Sequence, residues 1–405
     1  MLFDINQFIA AQVTKRSESF FKKDLESHRA VLKNKIDGSA ALVIGGAGTI
    51  GSSFIKALLH YGAPRKLYVV DINENGLTEL TRDLRSATGF NIPDDYKTYP
   101  VNFGDPVFRK LFFREGPFDI VANFAAHKHV RSEKDTYSIE AMIDNNVLKA
   151  KALLDMLTEQ PPRHFFCVST DKAANPVNIM GASKKLMEEV IMAYAEKIPV
   201  TTARFANVAF SNGSLPAGFM ERLAKKQPFS APSDVKRFFV SPAESGEICL
   251  MACLLGASGD IFFPKLDPAR HMETFTYIAD RLLEAFGFEP EYCRSEEEAR
   301  QKALLLNEKS TRYPVYYFES DTSGEKPFEE FFTNEETLDF QTFTSLGIVK
   351  NSKKRVLHEL DSILEKLNDI FKKEELKKEE IVSLLSGFIE NFEHIETGKS
   401  LDQKM

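Results

Sequence analysis

Ala40-Ala41-Leu42-Val43-Ile44-Gly45-Gly46-Ala47-Gly48-Thr49-Ile50-Gly51 is an apolar run closing on glycines spaced GxxGxxG, and Ser52-Ser53-Phe54-Ile55-Lys56-Ala57-Leu58-Leu59 continues it at helical period. A short continuous apolar run ending in glycine reads as a strand buried in a parallel sheet. Gly45 permits the tight turn, Gly48 lets a pyrophosphate approach the backbone, and Gly51 lets the helix pack close to the strand. Thr49 and Ile50, the first helical residues, bring free N–H groups and the positive end of the helix dipole to the phosphates.

Outward from this turn the pattern repeats. The strand Lys66-Leu67-Tyr68-Val69-Val70-Asp71 follows, then the polar helix ENGLTELTRDLRS. A strand in YKTYPVNFGD, a helix over 106–114 and the strand DIVANFAA come next. A helix around 139–159 leads to HFFCVST, and one around 181–197 leads to VTTARFANV. Strands alternating with helices predict an α/β fold, a Rossmann-like doubly wound parallel sheet. Glycine turn, helix and second strand fall within one βαβ unit, which makes the dinucleotide reading specific. Asp71 ends the second strand about 20 residues after Gly51, where a carboxylate accepts hydrogen bonds from the adenosine ribose hydroxyls. It would repel a 2′-phosphate, so NAD is favoured over NADP; Arg82 and Arg85 lie too far along the next helix to reverse this. Asp105, after the third strand, reads equally as a contact to the adenine amino group or as a helix N-cap before Pro106. Ala125, where DIVANFAA ends, faces the same cofactor.

The NAD-binding Rossmann domain is expected over residues 39–210. Gly, Pro and Ser then cluster in SNGSLPAG and SAPSD, and a smaller substrate-binding lobe is expected over 211–350, its chain crossing back to the sheet. Residues 1–38 form an N-terminal helical extension with Phe8, Ile9, Val13, Phe20, Phe21 and Leu25 at helical spacing. Residues 351–405 form a C-terminal helical extension with stripes at Leu360, Leu364, Leu367 and Phe371, and at Leu384, Leu385, Phe388 and Phe392. Such stripes signal core or subunit packing, and a homo-oligomer is expected.

Bulk properties narrow the function. In 405 residues, 43% hydrophobic and 27% charged, the composition is that of a globular protein. A net charge of −7 argues against a nucleic-acid partner or an anionic membrane surface. No run of apolar residues is long enough for a membrane span, and no signal peptide is evident. Cys167, Cys249, Cys253 and Cys293 form no CxxC pair, so a reduced, cytoplasmic setting fits. Cys249 and Cys253, one helical turn apart, read as small apolar residues ahead of metal ligands, and no metal is expected.

Two segments carry chemistry at the C-terminal ends of later strands. One is Ala125-Ala126-His127-Lys128-His129-Val130; the other is Ser169-Thr170-Asp171-Lys172-Ala173-Ala174-Asn175-Pro176, followed by Met180-Gly181-Ala182-Ser183-Lys184. Thr170, Asp171 and Lys172 set a hydroxyl, a carboxylate and an amine at one strand end, within reach of one small substrate. Lys184 opens a helix facing them, placed to hydrogen-bond a nicotinamide ribose and to lower neighbouring pKa values by its charge. His127 and His129 read as proton carriers or, equally, as structural residues.

These stretches resemble the extended short-chain dehydrogenase/reductase superfamily. Within it the chain is similar to the CapD-like UDP-N-acetylglucosamine 4,6-dehydratases of polysaccharide biosynthesis. GGAGTIG, AAHKHV, STDKAANPVNIMGASK, ARFANVAFSNGSL, KRFFVSPAES and YPVYYFESDTSGEKPFEEFF carry the likeness across about residues 40–335. One departure matters: the superfamily pairs a catalytic tyrosine with a lysine four positions on, and here that tyrosine is Met180, before Lys184. A thioether takes no proton from a hydroxyl. The resemblance extends to dehydratases that also carry methionine there and use the Thr-Asp-Lys set, with configuration retained at sugar carbon 5.

It therefore implies a hydro-lyase that recycles NAD. Asp171, through Thr170, takes the 4-hydroxyl proton, and Lys172 takes the carbon 5 proton as a neutral amine. That requires a depressed pKa, expected from burial or from Lys128 and Lys184 nearby. Either Asp171 or Lys172 then protonates the departing 6-hydroxyl. Lys128, His129, Met180, Asn207, Ser211, Ser214 and Arg237 are the expected contacts to the nucleotide sugar, Arg237 because a guanidinium fork matches phosphate oxygens. Arg204 is expected to brace its strand, and Glu325 and Lys326 to shape the lobe. The alternatives are a nucleotide-sugar epimerase, a catalytically silent NAD-binding regulator and a net reductase.

Overall fold

A computed structural model describes residues 3–129, 133–320, 326, 328–350, 352 and 355–395. The apolar run becomes β1 (Ala40–Ile44), buried at every position. It is followed in order by β2 (Lys66–Asp71), β3 (Asp95–Pro100), β4 (Ile120–Asn123), β5 (His164–Val168) and β6 (Val200–Ala203). The chain then leaves for β7 (Asn207–Val208), β8 (Phe229–Pro232) and β9 (Lys236–Val240), and returns with β10 (Asp260–Pro264). It leaves again for β11 (Met272–Thr274), β12 (Glu289–Tyr292) and β13 (Arg312–Phe318), and closes with β14 (Thr337–Asp339) and β15 (Leu346–Lys350).

The main sheet has nine strands in the order β14-β15-β10-β6-β5-β4-β1-β2-β3. Pairing is parallel from β3 through β10, and β15 and β14 add antiparallel at the edge. The fold is the α/β Rossmann-like one that the alternation predicts. Winding reverses between β1 and β4, both of which run out towards the glycine turn. In such sheets ligands bind beyond the carboxyl ends of the strands at this reversal.

Helix Thr49–Tyr61 buries nearly its whole circumference, because the sheet takes one side and helix Pro242–Leu255 the other. The two helices touch through Gly246, where a Cβ would stand 2.3 Å from the carbonyl of Ser53. Cys249 and Cys253 lie inside this second helix, and burial pushes both thiols above their usual pKa.

A second apolar core, including Phe219, Phe229, Phe239, Ile278, Leu282, Tyr313 and Val315, lies around β8 and β13. The N-terminal segment serves both cores. Phe8, Ile9 and Val13 pack on the second, while Phe21, Leu25, Leu32 and Ile36 pack on the first. Arg16 ties it down through a bidentate contact to Glu244 (3.1 and 2.9 Å).

Two local outcomes differ from the sequence pattern. The helix expected around 139–159 is two helices, Thr136–Ile143 and Lys149–Glu159, joined by a π turn over Asp144–Leu148. The turn places Asn146, whose side chain accepts from the His127 N–H (2.8 Å) and donates to its carbonyl (2.9 Å) and to Ser183 Oγ (3.1 Å). These bonds hold the loop after β4 against the helix that carries Lys184. Of the C-terminal stripes, Leu360, Leu364, Leu367, Leu385 and Phe392 are buried, whereas Leu384 and Phe388 stay partly exposed. The hairpin docks by Lys151–Asp361 (3.2 Å) and Arg355–Glu189 (2.7 Å). No helix among the described residues is long and apolar enough to cross a membrane.

Candidate active site

Glycine chemistry builds the first half of the site. Gly45 has φ +75°, and a Cβ on it would sit 2.5 Å from the Ala125 nitrogen, so the turn after β1 and the loop after β4 are in backbone contact. Gly48 is the N-cap of helix Thr49–Tyr61, and no side chain caps that end. The first-turn N–H groups of Thr49 and Ile50 are thus left to an outside acceptor. A Cβ on Gly51 would come within 2.3 Å of the Gly45 carbonyl oxygen. Gly51→Ala must therefore force helix and strand apart. We expect it to weaken dinucleotide binding at least tenfold and to cost about 1–3 kcal/mol of stability, the usual range for overpacking. Cofactor titration and urea unfolding measure the two effects.

Asp71, half-buried at the end of β2, accepts from the Ala47 N–H (3.0 Å) and the Asn73 N–H (2.9 Å). Each carboxylate oxygen retains a lone pair for a ribose hydroxyl. Asp105 stands at the N-cap position before Pro106, but its side chain makes no capping hydrogen bond and is exposed. Ala125 donates its N–H to Asn123 Oδ1 (3.0 Å), which shapes the wall opposite the turn.

The second half hangs from β5. Three donors converge on Asp171 Oδ1: Thr170 Oγ1 (2.8 Å), the Lys172 N–H (2.9 Å) and Lys172 Nζ (3.1 Å). Asp171 is buried. Lys172 Nζ also lies 3.6 Å from Glu329 Oε1, in a side chain only 7% exposed. This overturns the expected neutral Lys172. Burial pushes its pKa down, but Asp171 and Glu329 outweigh that, so the net shift is upward and the resting group is an ammonium. The amines of Lys128 and Lys184 are engaged elsewhere, on the Asn212 carbonyl (2.8 Å) and the Val168 carbonyl (3.0 Å). Burial lowers the pKa of both.

Met180 is buried in the main core, and its N–H donates to Glu133 Oε1 (2.8 Å). Lys184 follows one turn later, beneath β5. His127 is exposed at its backbone-anchored loop, and burial of part of its ring lowers its pKa.

The expected substrate contacts fall into two groups. Loop 211–214 closes over the first turn of helix Thr49–Tyr61: the Asn212 N–H donates to Thr49 Oγ1 (3.0 Å), and the His129 ring lies against Gly213. Ser211 is buried there, and Ser214 caps helix Leu215–Ala224. Asn207, on β7, pairs with Phe239 of β9. Arg237, on β9, belongs with the second half of the site. It is buried, it donates to the Lys326 carbonyl (2.9 Å), and its charge acts on Lys172 and Glu329. Lys326 in turn donates to the Asn175 carbonyl (2.5 Å). Glu325 lies outside the described residues.

Sequence reasoning missed Glu329, Asn146 and Glu133. A signal for Glu329 existed: a carboxylate among Phe328, Phe331 and Phe332 is a charge carried into apolar surroundings, where it must be paired.

The family described as "Polysaccharide biosynthesis protein" matches residues 41–351. An uncharacterized membrane protein of Methanocaldococcus jannaschii, MJ1061, is 30% identical over 64% of this chain and 76% of its own length. The capsular polysaccharide biosynthesis protein CapD of Staphylococcus aureus is 26% identical over 87% of this chain, which spans about half of that relative's length (55%). Among solved structures, the dTDP-glucose 4,6-dehydratase DesIV of Streptomyces venezuelae, with NAD and TYD bound, superposes with a TM-score of 0.54 at 19% identity, over 72% of this chain and 88% of its own. That likeness is one of fold.

Proposed function

We propose, from the premise that this chain belongs to the polysaccharide biosynthesis protein family, that it is a nucleotide-sugar 4,6-dehydratase that recycles NAD. Its substrate in this reading is UDP-N-acetylglucosamine, and configuration is retained at carbon 5. The carrying observation is the hydrogen-bonded Thr170–Asp171–Lys172 set at the end of β5, with Asp171 buried, together with methionine at the tyrosine position.

The glycine turn fits a dinucleotide: at Gly48 a Cβ would meet nothing closer than the Gly45 carbonyl oxygen at 3.5 Å, and the helix end it caps has no side-chain cap. Gly45, Gly48, Thr49, Ile50 and Gly51 would hold the pyrophosphate, Asp71 the adenosine ribose, and Asp105, Ala125 and Lys184 the remainder. When bound, NAD accepts the hydrogen from sugar carbon 4 and returns it to carbon 6. Asp171, with Thr170 on the same oxygen, receives the 4-hydroxyl proton. Lys172 takes the carbon 5 proton, now acidified by the ketone, and Asp171 protonates the departing 6-hydroxyl. The second core, with loop 211–214 as its near edge, forms the substrate lobe.

Incubation of the full chain with UDP-N-acetylglucosamine, without added reductant, should yield a 4-keto-6-deoxy sugar by NMR. Absence of that product with every UDP-, GDP- and dTDP-sugar would sink the dehydratase reading. Inversion at carbon 4 without loss of water would identify an epimerase.

A further inference from the structure

The chemistry above leaves one charge unaccounted for. Lys172 rests as an ammonium, and an ammonium has no lone pair for the carbon 5 proton. Some group must first take its proton. Two carboxylates are in reach, Asp171 at 3.1 Å and Glu329 at 3.6 Å. They are not equivalent. Asp171 Oδ1 already accepts from Thr170 Oγ1 and the Lys172 N–H besides the ammonium. Glu329 is buried, faced by Lys172, Asp171, Arg237 and Lys326. Burial and the Asp171 charge raise its pKa, while the cations Lys172, Arg237 and Lys326 pull it down; the net direction is up.

Resting on the dehydratase reading, we propose that Glu329 is the proton acceptor that discharges Lys172. An N–H bond of the ammonium breaks and an O–H bond forms on Glu329, leaving a neutral amine. That amine removes the carbon 5 proton. The electron pair released forms the carbon 5–carbon 6 double bond and expels the 6-hydroxyl, which leaves as water with the proton Asp171 had taken from the 4-hydroxyl. Lys172 then returns its proton to carbon 5 as carbon 6 is reduced, and Glu329 hands its proton back to the amine. All three side chains end in their starting charge states. Glu329 touches no reacting atom; it is a positioning residue that sets the charge of the group that does.

The test compares Glu329→Gln and Glu329→Asp with the unaltered full chain on UDP-N-acetylglucosamine in H2O and D2O. Turnover, NADH absorbance and carbon 5 deuterium are followed across pH. In Glu329→Gln, NADH should still appear, because oxidation at carbon 4 uses Asp171. Deuterium wash-in at carbon 5 and turnover should fall by about 10²-fold, the scale of one lost proton acceptor. The remaining activity should climb with pH, as the amine must now lose its proton to solvent. Glu329→Asp should recover part of the rate and of the original acid limb, and it keeps the inference testable if the glutamine variant misfolds. Unchanged deuterium wash-in in Glu329→Gln, or a slower rate with an unmoved pH profile in both variants, overturns the role of Glu329 while leaving the dehydratase reading intact. No keto sugar from the unaltered chain overturns the reading, and this inference with it.

Discussion

Asp171→Asn is expected to lower turnover by about 10²–10⁴-fold, the range for a removed general acid or base, while the protein still binds NAD. The substitution keeps shape and volume, and an amide oxygen can still accept from Thr170 Oγ1 and the Lys172 N–H, so the loop after β5 should hold. What disappears is the negative charge beside Lys172 and, in the proposed reaction, the acceptor of the 4-hydroxyl proton. Because that proton leaves in the first chemical step, NADH absorbance should fail to rise on adding substrate. This separates the variant from Glu329→Gln, in which NADH forms and the later steps stall. Rapid-mixing absorbance and cofactor titration make the comparison. Undiminished NADH formation in Asp171→Asn would remove Asp171 from the carbon 4 step.

Arg204→Met is expected to cost about 3–5 kcal/mol, the usual effect of stranding a buried charge. Arg204 is completely buried and binds three groups: Glu188 through Nε (3.0 Å), Glu336 through Nη2 (2.8 Å), and the Phe331 carbonyl through Nη1 (3.1 Å). It thus bolts β6 to the segment that carries Glu329. Methionine fills similar space but leaves Glu188 buried without the Arg204 guanidinium, with Lys185 still 3.7 Å away. Burial alone would raise the Glu188 carboxyl; Arg204 overcomes this and holds it at about 2. A depressed carboxylate contributes stability above its unfolded value, near 4.5, and loses it as pH falls towards about 2. In Arg204→Met the same carboxyl rises above its unfolded value, so acid should favour its folded form. The stability gap between the two proteins, read from urea unfolding, should therefore be widest at neutral pH and narrow below about 4.5. A constant gap would show that Glu188 is not what Arg204 compensates.

The same neighbourhood shows why part of the site was legible in the sequence. Gly45, Gly48 and Gly51 act on atoms a few residues away, and their spacing is itself the geometry of the turn. Asp71 and the Thr170–Asp171–Lys172 set lie at strand ends, and strand ends follow from the alternation of apolar runs with helices. Each is a local property, so the order of residues carried it.

Tertiary structure decided the rest. The amino-acid sequence by itself determined the parallel sheet, the dinucleotide turn and the place of the Thr-Asp-Lys set. It was silent on the charge of Lys172, which depends on Glu329 arriving from a distant segment, anchored through Lys326 at Asn175 and through Arg204 at Phe331. It was equally silent on the π turn that lets Asn146 lock the loop after β4, since helical periodicity does not register one added residue in a turn. Charge state and loop placement depend on distances across the fold, because burial and Coulomb interaction act through space rather than along the chain.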